Sequence, residues 1–458
     1  MAGDGSTRRR RINEVIRQEL WANDFLSSSR TLRRSHSSLR VCADSVLRRT
    51  MNGPKIKDFG SSLKNTKPDQ KKKDRVENKP KPNAKSAAED IEVVKVNTSL
   101  VSSDVLVLDP KGNPVAGLTE KDFVITEDGQ PQQVGMLSRG DDLKVTRSIV
   151  LIIDYSSSQF PFIETSIAAA KALVDKLPSS DSMAIVTDDV ELIQGFTRDK
   201  QKLKSKLDSL LGRIAPNVTS GFAARHFGKS KQYSALLATL NEAFSNQDQR
   251  PIVIFQTDGD QLGFLKNSPL TSDFSSFGND KKAADHWRKR FEELRVDFSL
   301  DDICRAAEKA RATIYTVVPG HQLLGRTIDE QIALVRVYLR ESLTMSGPPS
   351  GAMREQLEGL LTDEKLKPAA ENQLKIQAAL AAVSTSTGGW AMFLEEPSQA
   401  DHIYSRIFSD INRRYIVGYY PTNKEHDGKR RKIEVTVRDH SDYTVVGRRW
   451  YYAPSPDK

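Results

Sequence analysis

From residue 147 onward the chain alternates two apolar patterns. Ser148–Ile153 is an unbroken apolar run, as expected of a strand buried on both faces of a parallel sheet. Phe162–Leu177 then places Ile163, Ala168, Ala170, Leu173 and Leu177 at helical spacing. The rhythm repeats. Ser182–Thr187, Val190–Gln194, Pro251–Phe255, Thr313–Val318 and Trp390–Leu394 read as strands. Asp199–Leu211, Tyr233–Phe244, Asp301–Ala312, Leu374–Ser386 and Ser398–Asn412 read as helices. This alternation predicts a doubly wound, mostly parallel, Rossmann-like α/β sheet with helices on both faces. Two polar stretches interrupt it. One, near residues 261–300, carries a charged helical piece at Lys281–Leu294. The other, near 320–370, carries helices at Ile328–Leu343 and Met353–Leu361 split by Gly347-Pro-Pro-Ser-Gly.

The flanks have a period of two. Ile91–Val96, Val101–Leu108, Phe123–Thr126 and Gln133–Leu137 are short β-rich runs separated by turns at Pro110-Lys-Gly-Asn and Glu127-Asp-Gly. Tyr415–Tyr420, Arg431–Arg438 and Tyr443–Tyr452 alternate apolar and polar residues in the same way. A three-stranded piece alone is marginal, so the two flanks are expected to form one antiparallel, Ig-like β domain. The predicted organisation is a tail over 1–90, a β segment over 91–142, the α/β domain over 143–412, and closing strands over 413–458. Chain ends that lie close together make such an insertion tolerable.

Charge changes the reading of the tail. Residues 1–90 hold 22 Lys and Arg against 11 Asp and Glu; the remaining residues hold 47 against 49, which is nearly balanced. The basic excess therefore belongs to an extension that includes Arg8–Arg11, a Ser-rich stretch at Ser27–Ser38 and the Lys/Pro segment Lys67–Lys85. Its composition is that of a disordered chain. Its aromatics are Trp21, Phe25 and Phe59, too few for a base-stacking platform, so nucleic acid is not the expected partner. No apolar stretch follows the basic start, so no standard export signal is expected unless the true start codon lies elsewhere. Elsewhere, hydrophobic residues at 38% are enough to exclude wholesale disorder. No run of about 18 apolar residues predicts a membrane-spanning helix. Two cysteines, Cys42 and Cys304, exclude a disulfide scaffold, and Cys304 reads as core packing. Scattered histidines without ligand spacing argue against a zinc enzyme; His226 and His321 read as surface residues.

The candidate chemistry sits at strand ends. Asp154-Tyr-Ser156-Ser-Ser158 follows the first buried strand, and ligands in open α/β sheets bind outside the carboxyl ends of strands. One carboxylate and two hydroxyls on alternate residues are hard oxygen donors, the kind Mg²⁺ takes. Asp258-Gly-Asp260 follows the strand Pro251–Phe255 and supplies a second acidic loop. The plainer reading makes the first motif an N-cap turn and the second a simple turn. Occurring together, they favour a metal site. Asp188-Asp189 reads as a solvated turn. The GYY and WYY clusters near the C-terminus read as sheet-face packing.

SIVLIIDYSSS (148–158) and QTDGD (256–260) resemble the metal-ion-dependent adhesion site of von Willebrand factor type A (VWA) domains. The resemblance extends to bacterial VWFA-related proteins through VLVLDPKGNPVAGLTEKDFVITEDGQPQQV (105–134), STGGWAMF (386–393), RRYIVGYYP, RKIEVTV and RRWYYAP. It covers residues 91–458 apart from the two insertions. It implies metal ligands at Asp154, Ser156, Ser158 and Asp258, with Asp260 in an outer shell and Mg²⁺ or Mn²⁺ as the ion. The family's separate-loop threonine falls at Ser230, with Thr219 or Ser220 as alternatives. Lys229 and Lys231 beside it place two cations near the ion position, which opposes binding.

The resemblance further implies a non-enzymatic module that binds a protein bearing an exposed Asp or Glu. It also implies no small-molecule cofactor and a location at the cell envelope or outside. A metal-independent VWA-like scaffold is the alternative. A phosphoester hydrolase is a weaker one: aspartyl-phosphate enzymes need a second acid two residues after the first, and Ser156 occupies that place. The chain has no GxGxxG, P-loop or GxSxG motif.

Overall fold

The computed structural model describes residues 100–454 apart from 141–145, 157–158, 160–161, 215–230, 245–249, 271–280, 345–350, 352–354, 356–357 and 360. The expected strand Ile91–Val96, the whole tail, His226 and most of the expected helix Met353–Leu361 lie outside the described residues.

In chain order the strands and α-helices are β1 (Val101–Leu108), β2 (Phe123–Glu127), β3 (Gln130–Gln132), β4 (Val134–Arg139), β5 (Arg147–Ile153), α1 (Ile163–Lys176), β6 (Ser182–Thr187), β7 (Leu192–Thr197), α2 (Lys200–Ile214), α3 (Gln232–Glu242), β8 (Arg250–Gln256), α4 (Lys281–Leu294), α5 (Leu300–Ala310), β9 (Thr313–Pro319), α6 (Ile328–Thr344), α7 (Asp363–Ser386), β10 (Ala391–Leu394), α8 (Ala400–Arg413), β11 (Tyr415–Tyr419), β12 (Arg430–Val437), β13 (Thr444–Gly447) and β14 (Trp450–Tyr452).

The central sheet has six strands in the order β10-β9-β8-β5-β6-β7, all parallel except β7, which runs antiparallel to β6. Side chains alternate across it. Ile149, Leu151 and Ile153 of β5 enter one core with α1, α2 and α8; Val150 and Ile152 enter the other with α3, α5 and α7. β8 splits the same way, Ile252 and Ile254 against Val253 and Phe255. This explains the unbroken apolar runs: a strand with helices on both faces has no polar side. The expected strand Val190–Gln194 begins two residues later and extends to Thr197. Val190 instead adopts a left-handed φ of 69° in the turn that reverses the chain. Helix α7 begins eleven residues before the expected Leu374, and its first turn carries Asp363 and Glu364, which favour a helix N-terminus. The 320–370 insertion has a small core of its own, with Leu323, Ile332, Val335, Leu361, Leu366 and Ala370.

The described segments on either side of the α/β domain, 101–139 and 415–452, meet. β13-β1-β11-β4 form one four-stranded sheet and β14-β12-β2-β3 another. The pairings within them are antiparallel. They share one core, in which Val105 and Val107 meet Phe123, Ile125, Tyr415, Val417, Ile433 and Tyr451. Tyr443–Tyr452, expected as one strand, is two strands in different sheets. Gly447 permits the crossing, since a Cβ there would lie 2.8 Å from Val105 Cγ1, and Arg448 follows it into the interior. Tyr419 and Tyr451 are buried and donate to the Glu127 carboxylate, each at 2.7 Å, whereas Tyr420 is exposed. Cys304 lies in the core, as its apolar neighbours predict.

The STGG segment marks the seam between sandwich and sheet. A Cβ on Gly389 would lie 1.9 Å from the Ile314 carbonyl, and Gly388 has φ +85°. The Gly388 carbonyl accepts from Arg414, the residue between α8 and β11.

Candidate functional site

Strand register builds the site. Ile153 of β5 stands opposite Gln256 of β8 on one side and Thr187 of β6 on the other. The residues that follow, Asp154, Thr257 and Asp188, therefore emerge side by side at the carboxyl edge. Their backbones continue the contact: Asp154 N donates to Gln256 O (2.9 Å) and Asp188 N to Ile153 O (3.2 Å). From β5 the chain winds one way through β6 and β7, then returns to start again at β8. Asp154 and Asp258 thus flank the point where strand order reverses, the usual crevice of an open α/β sheet.

Asp154 is buried, with 1% of its surface exposed. Its Oδ1 accepts from Ser156 N (3.0 Å), and its Oδ2 accepts from Thr257 Oγ1 (2.8 Å) and Gln232 Nε2 (2.9 Å). Gln232 opens α3 and is wholly buried. Its Nε2 also donates to Asp260 Oδ1 (2.6 Å) and lies 3.3 Å from Asp258 Oδ1. One amide nitrogen thus sits where three carboxylates meet. Its Oε1 accepts from Gln261 N (3.1 Å), and Gln261 in turn accepts from Ser234 N at its Oε1 and donates from Nε2 to the Ser234 hydroxyl. The 3₁₀ turn Asp260–Phe264 is held against α3 by this glutamine pair. Gly259 sits at φ +76° with its Cα against Leu380, and an added Cβ would approach Leu380 Cδ1 to 2.9 Å. Both features favour glycine there.

Asp188 departs from its sequence reading. It is buried, its carboxylate accepts from Tyr155 N (3.2 Å), and its carbonyl accepts from Lys231 N (3.1 Å). The turn is a structural tie because the register of β5 and β6 draws it under the Asp154 loop. Asp189 is exposed and accepts from Tyr155 Oη (3.0 Å). The Lys231 side chain is exposed. Tyr233 is buried beside the site; desolvation, and after it Cys304 and the carboxylates of Asp258 and Asp260, raise its phenol above the ordinary value.

Of the residues expected to hold a metal, Asp154 and Asp258 are brought to one point, joined by the outer-shell residue Asp260. Ser156 follows in the same loop. Ser158, Ser230, Thr219 and Ser220 lie outside the described residues. Among the described residues, no group of three or more His, Cys, Asp or Glu is arranged to hold a metal ion. The donor chemistry fits a hard divalent cation, carboxylates beside a serine loop. The spacing does not, because the Gln232 amide sets it. An N–H donor cannot ligate a cation, and the two cannot share the point. Sequence reading missed Gln232, Thr257 and Gln261. For Gln232 the available signal was an uncharged polar residue opening a helix with the apolar run Ala235–Ala238.

The strand order and the paired acidic loops fit a VWA-type fold. No protein-family model matches the chain, and no curated protein matches it significantly. Solved structures overlap it at low similarity. An aerotolerance-related membrane protein from Bacteroides fragilis, carrying multiple mutations to serines, is 10% identical, with 58% of this chain and 99% of that one covered at a TM-score of 0.32. A von Willebrand factor type A structure from Catenulispora acidiphila is 11% identical over 78% and 74%, TM-score 0.30. The manganese-loaded TRAP protein of Plasmodium vivax is 10% identical over 71% and 97%, TM-score 0.28. No helix among the described residues is long and apolar enough to cross a membrane.

Proposed function

We propose that the chain is a non-enzymatic, adhesion-type binding module whose working face is the carboxyl edge of the six-stranded sheet. The ligand is a protein bearing an exposed Asp or Glu. A Mg²⁺ or Mn²⁺ ion would be held by Asp154, Ser156, Ser158, Ser230 and Asp258, with Asp260 outside them. The observation that supports this reading is that Asp154, Asp258 and Asp260 gather from two separate strand ends, here around the Gln232 amide nitrogen. When bound, the ion would supply an open coordination position for the partner's carboxylate. The chain's own residues orient the site: Thr257 donates to the Asp154 carboxylate, and Gly259 takes a left-handed φ between Asp258 and Asp260.

The test is calorimetric titration of Mg²⁺ and Mn²⁺ into the full chain, with Asp154→Ala as control. Binding that disappears in the control supports the reading. No binding in the parent leaves the metal-independent VWA-like scaffold, in which the Gln232 amide ties the loops permanently.

A further inference from the structure

We infer that the outer edge of β7 accepts an extended segment of a partner protein, with alternating acidic and apolar residues, as a further strand of the central sheet. β7 closes that sheet on one side. It pairs with β6 alone, and among the described residues no strand lies beyond it. Such an edge is a template for another chain, and native edges are commonly blunted with charges or proline. Leu192-Ile-Gln-Gly-Phe-Thr197 has neither. Gln194 Nε2 donates to the adjacent Gly195 carbonyl (2.8 Å), so part of this backbone is served by its own side chain.

The flanks of the edge define the chain that fits. Two residues separate β7 from α2, which lies over β7 and β6 and against α1. The inner face of α2 is Leu203, Leu207 and Leu210. One side of it meets α1, where Lys204 pairs with Asp175 and Asp208 with Lys171. At 3.6 residues per turn, Lys202 and Lys206 then lie on the opposite side, which overlooks the outer edge of β7. Both are exposed, and neither has a counter-ion among the described residues. Asp199, the carboxylate before Lys202 in the chain, is engaged at the helix start, where its Oδ1 accepts from Gln201 N and Lys202 N (3.0 Å each). On the other face of the sheet, Leu192 and Phe244 are half-buried beside Phe196.

The spacings agree. Four helical residues rise about 6 Å, and alternate residues of a strand are about 6.6–6.8 Å apart. Carboxylates on every second residue of an added strand would meet both lysines, and the apolar residues between them would cover Leu192 and Phe244. A second copy of this chain does not fit. Antiparallel pairing of β7 with β7 in one continuous sheet puts both α2 helices on the same face and brings their lysines together.

The experiment follows the fluorescence anisotropy of a labelled peptide of alternating Glu and Val with the full chain, as wild type and as Lys202→Glu/Lys206→Glu. The wild type should bind, and reversing the two charges should weaken binding about tenfold. The same peptide N-methylated at every residue keeps its charges and loses its backbone donors, so it should not bind, because strand addition draws its affinity from main-chain hydrogen bonds. Amide exchange within residues 192–197 should slow when the unmodified peptide is bound. Equal affinity in wild type and the charge-reversed protein, binding of the N-methylated peptide, or unchanged exchange across 192–197 would each overturn the inference. So would no peptide binding by wild type; lysine-dependent binding of oligothymidine in its place would assign the α2 cations to a nucleic acid.

Discussion

At the residue scale the structure is governed by a few buried polar groups whose partners come from distant parts of the chain. Gln232 is one. Arg414 is another: its guanidinium is fully buried, donates to both Asp410 oxygens (3.1 and 3.0 Å), and reaches the Gly388 carbonyl. Burial opposes its charge, yet the Asp410 carboxylate, with Tyr315 and Asp104, more than offsets this and holds the guanidinium pKa above its ordinary value. Asp410 also accepts from Trp390 Nε1 at 2.8 Å, tying the STGGW segment to α8. Removing one partner leaves a buried charge uncompensated, which costs about 3–5 kcal/mol. Arg414→Leu should therefore destabilise strongly in urea denaturation, and Arg414→Leu/Asp410→Leu should cost less than the single change. A double variant as damaging as the single would show that the packing of Arg414, rather than its charge, sets the cost.

At the element scale, α5 faces two ways. Ile303 and Ala307 enter the core beneath the sheet, while Glu308, on another face of the helix, meets Arg430 of β12 in the sandwich (Nε to Oε2, 3.2 Å). Burial raises the Glu308 carboxyl above its ordinary value of 4.5, with Arg430, Arg448 and Arg305 pulling the other way. The folded protein then holds this proton more tightly than the unfolded chain. Its contribution to stability is present below the ordinary carboxylate value and is lost as pH rises through the raised one. Glu308→Gln has no such loss. Across that window the Tm of the variant minus that of wild type should increase with pH; a flat difference would mean that Arg430 fully compensates the burial.

At the scale of the whole molecule, the sandwich is built by the two segments that flank the central α/β sheet, 101–139 and 415–452. β11 stands between β1 and β4, and β12 between β14 and β2. Truncation after Arg413 removes β11 and β13 from β1, β11 from β4 and β12 from β2 at once, leaving β2 only the short β3. Those strands should then become protease-sensitive within residues 101–139, while α1 and β5–β10 remain protected. Limited proteolysis with mass mapping checks this, and protection of 101–139 in the truncated chain would mean that the N-terminal strands fold by themselves. Arg250–Asp104 joins the sandwich to the central sheet and Arg430–Glu308 joins it to α5, so partial loosening nearest the seam is expected.

Much of this was legible from one dimension. The six central strands and the helices between them follow from apolar runs and 3.6-residue periodicity, because strands covered on both faces have no polar positions to confuse the pattern. The acidic residues of the two loops were legible because they stand directly after such strands. Three things were decided only by packing. The division of Tyr443–Tyr452 between two sheets depends on how closely Gly447 approaches Val105. The burial of Asp188 depends on the register of β5 against β6, which no local pattern encodes. The meeting of the Gln232 amide with three carboxylates depends on where α3 docks, 78 residues from Asp154 along the chain. Periodicity reports which face of an element is buried; only the tertiary fold determines which polar atoms meet there.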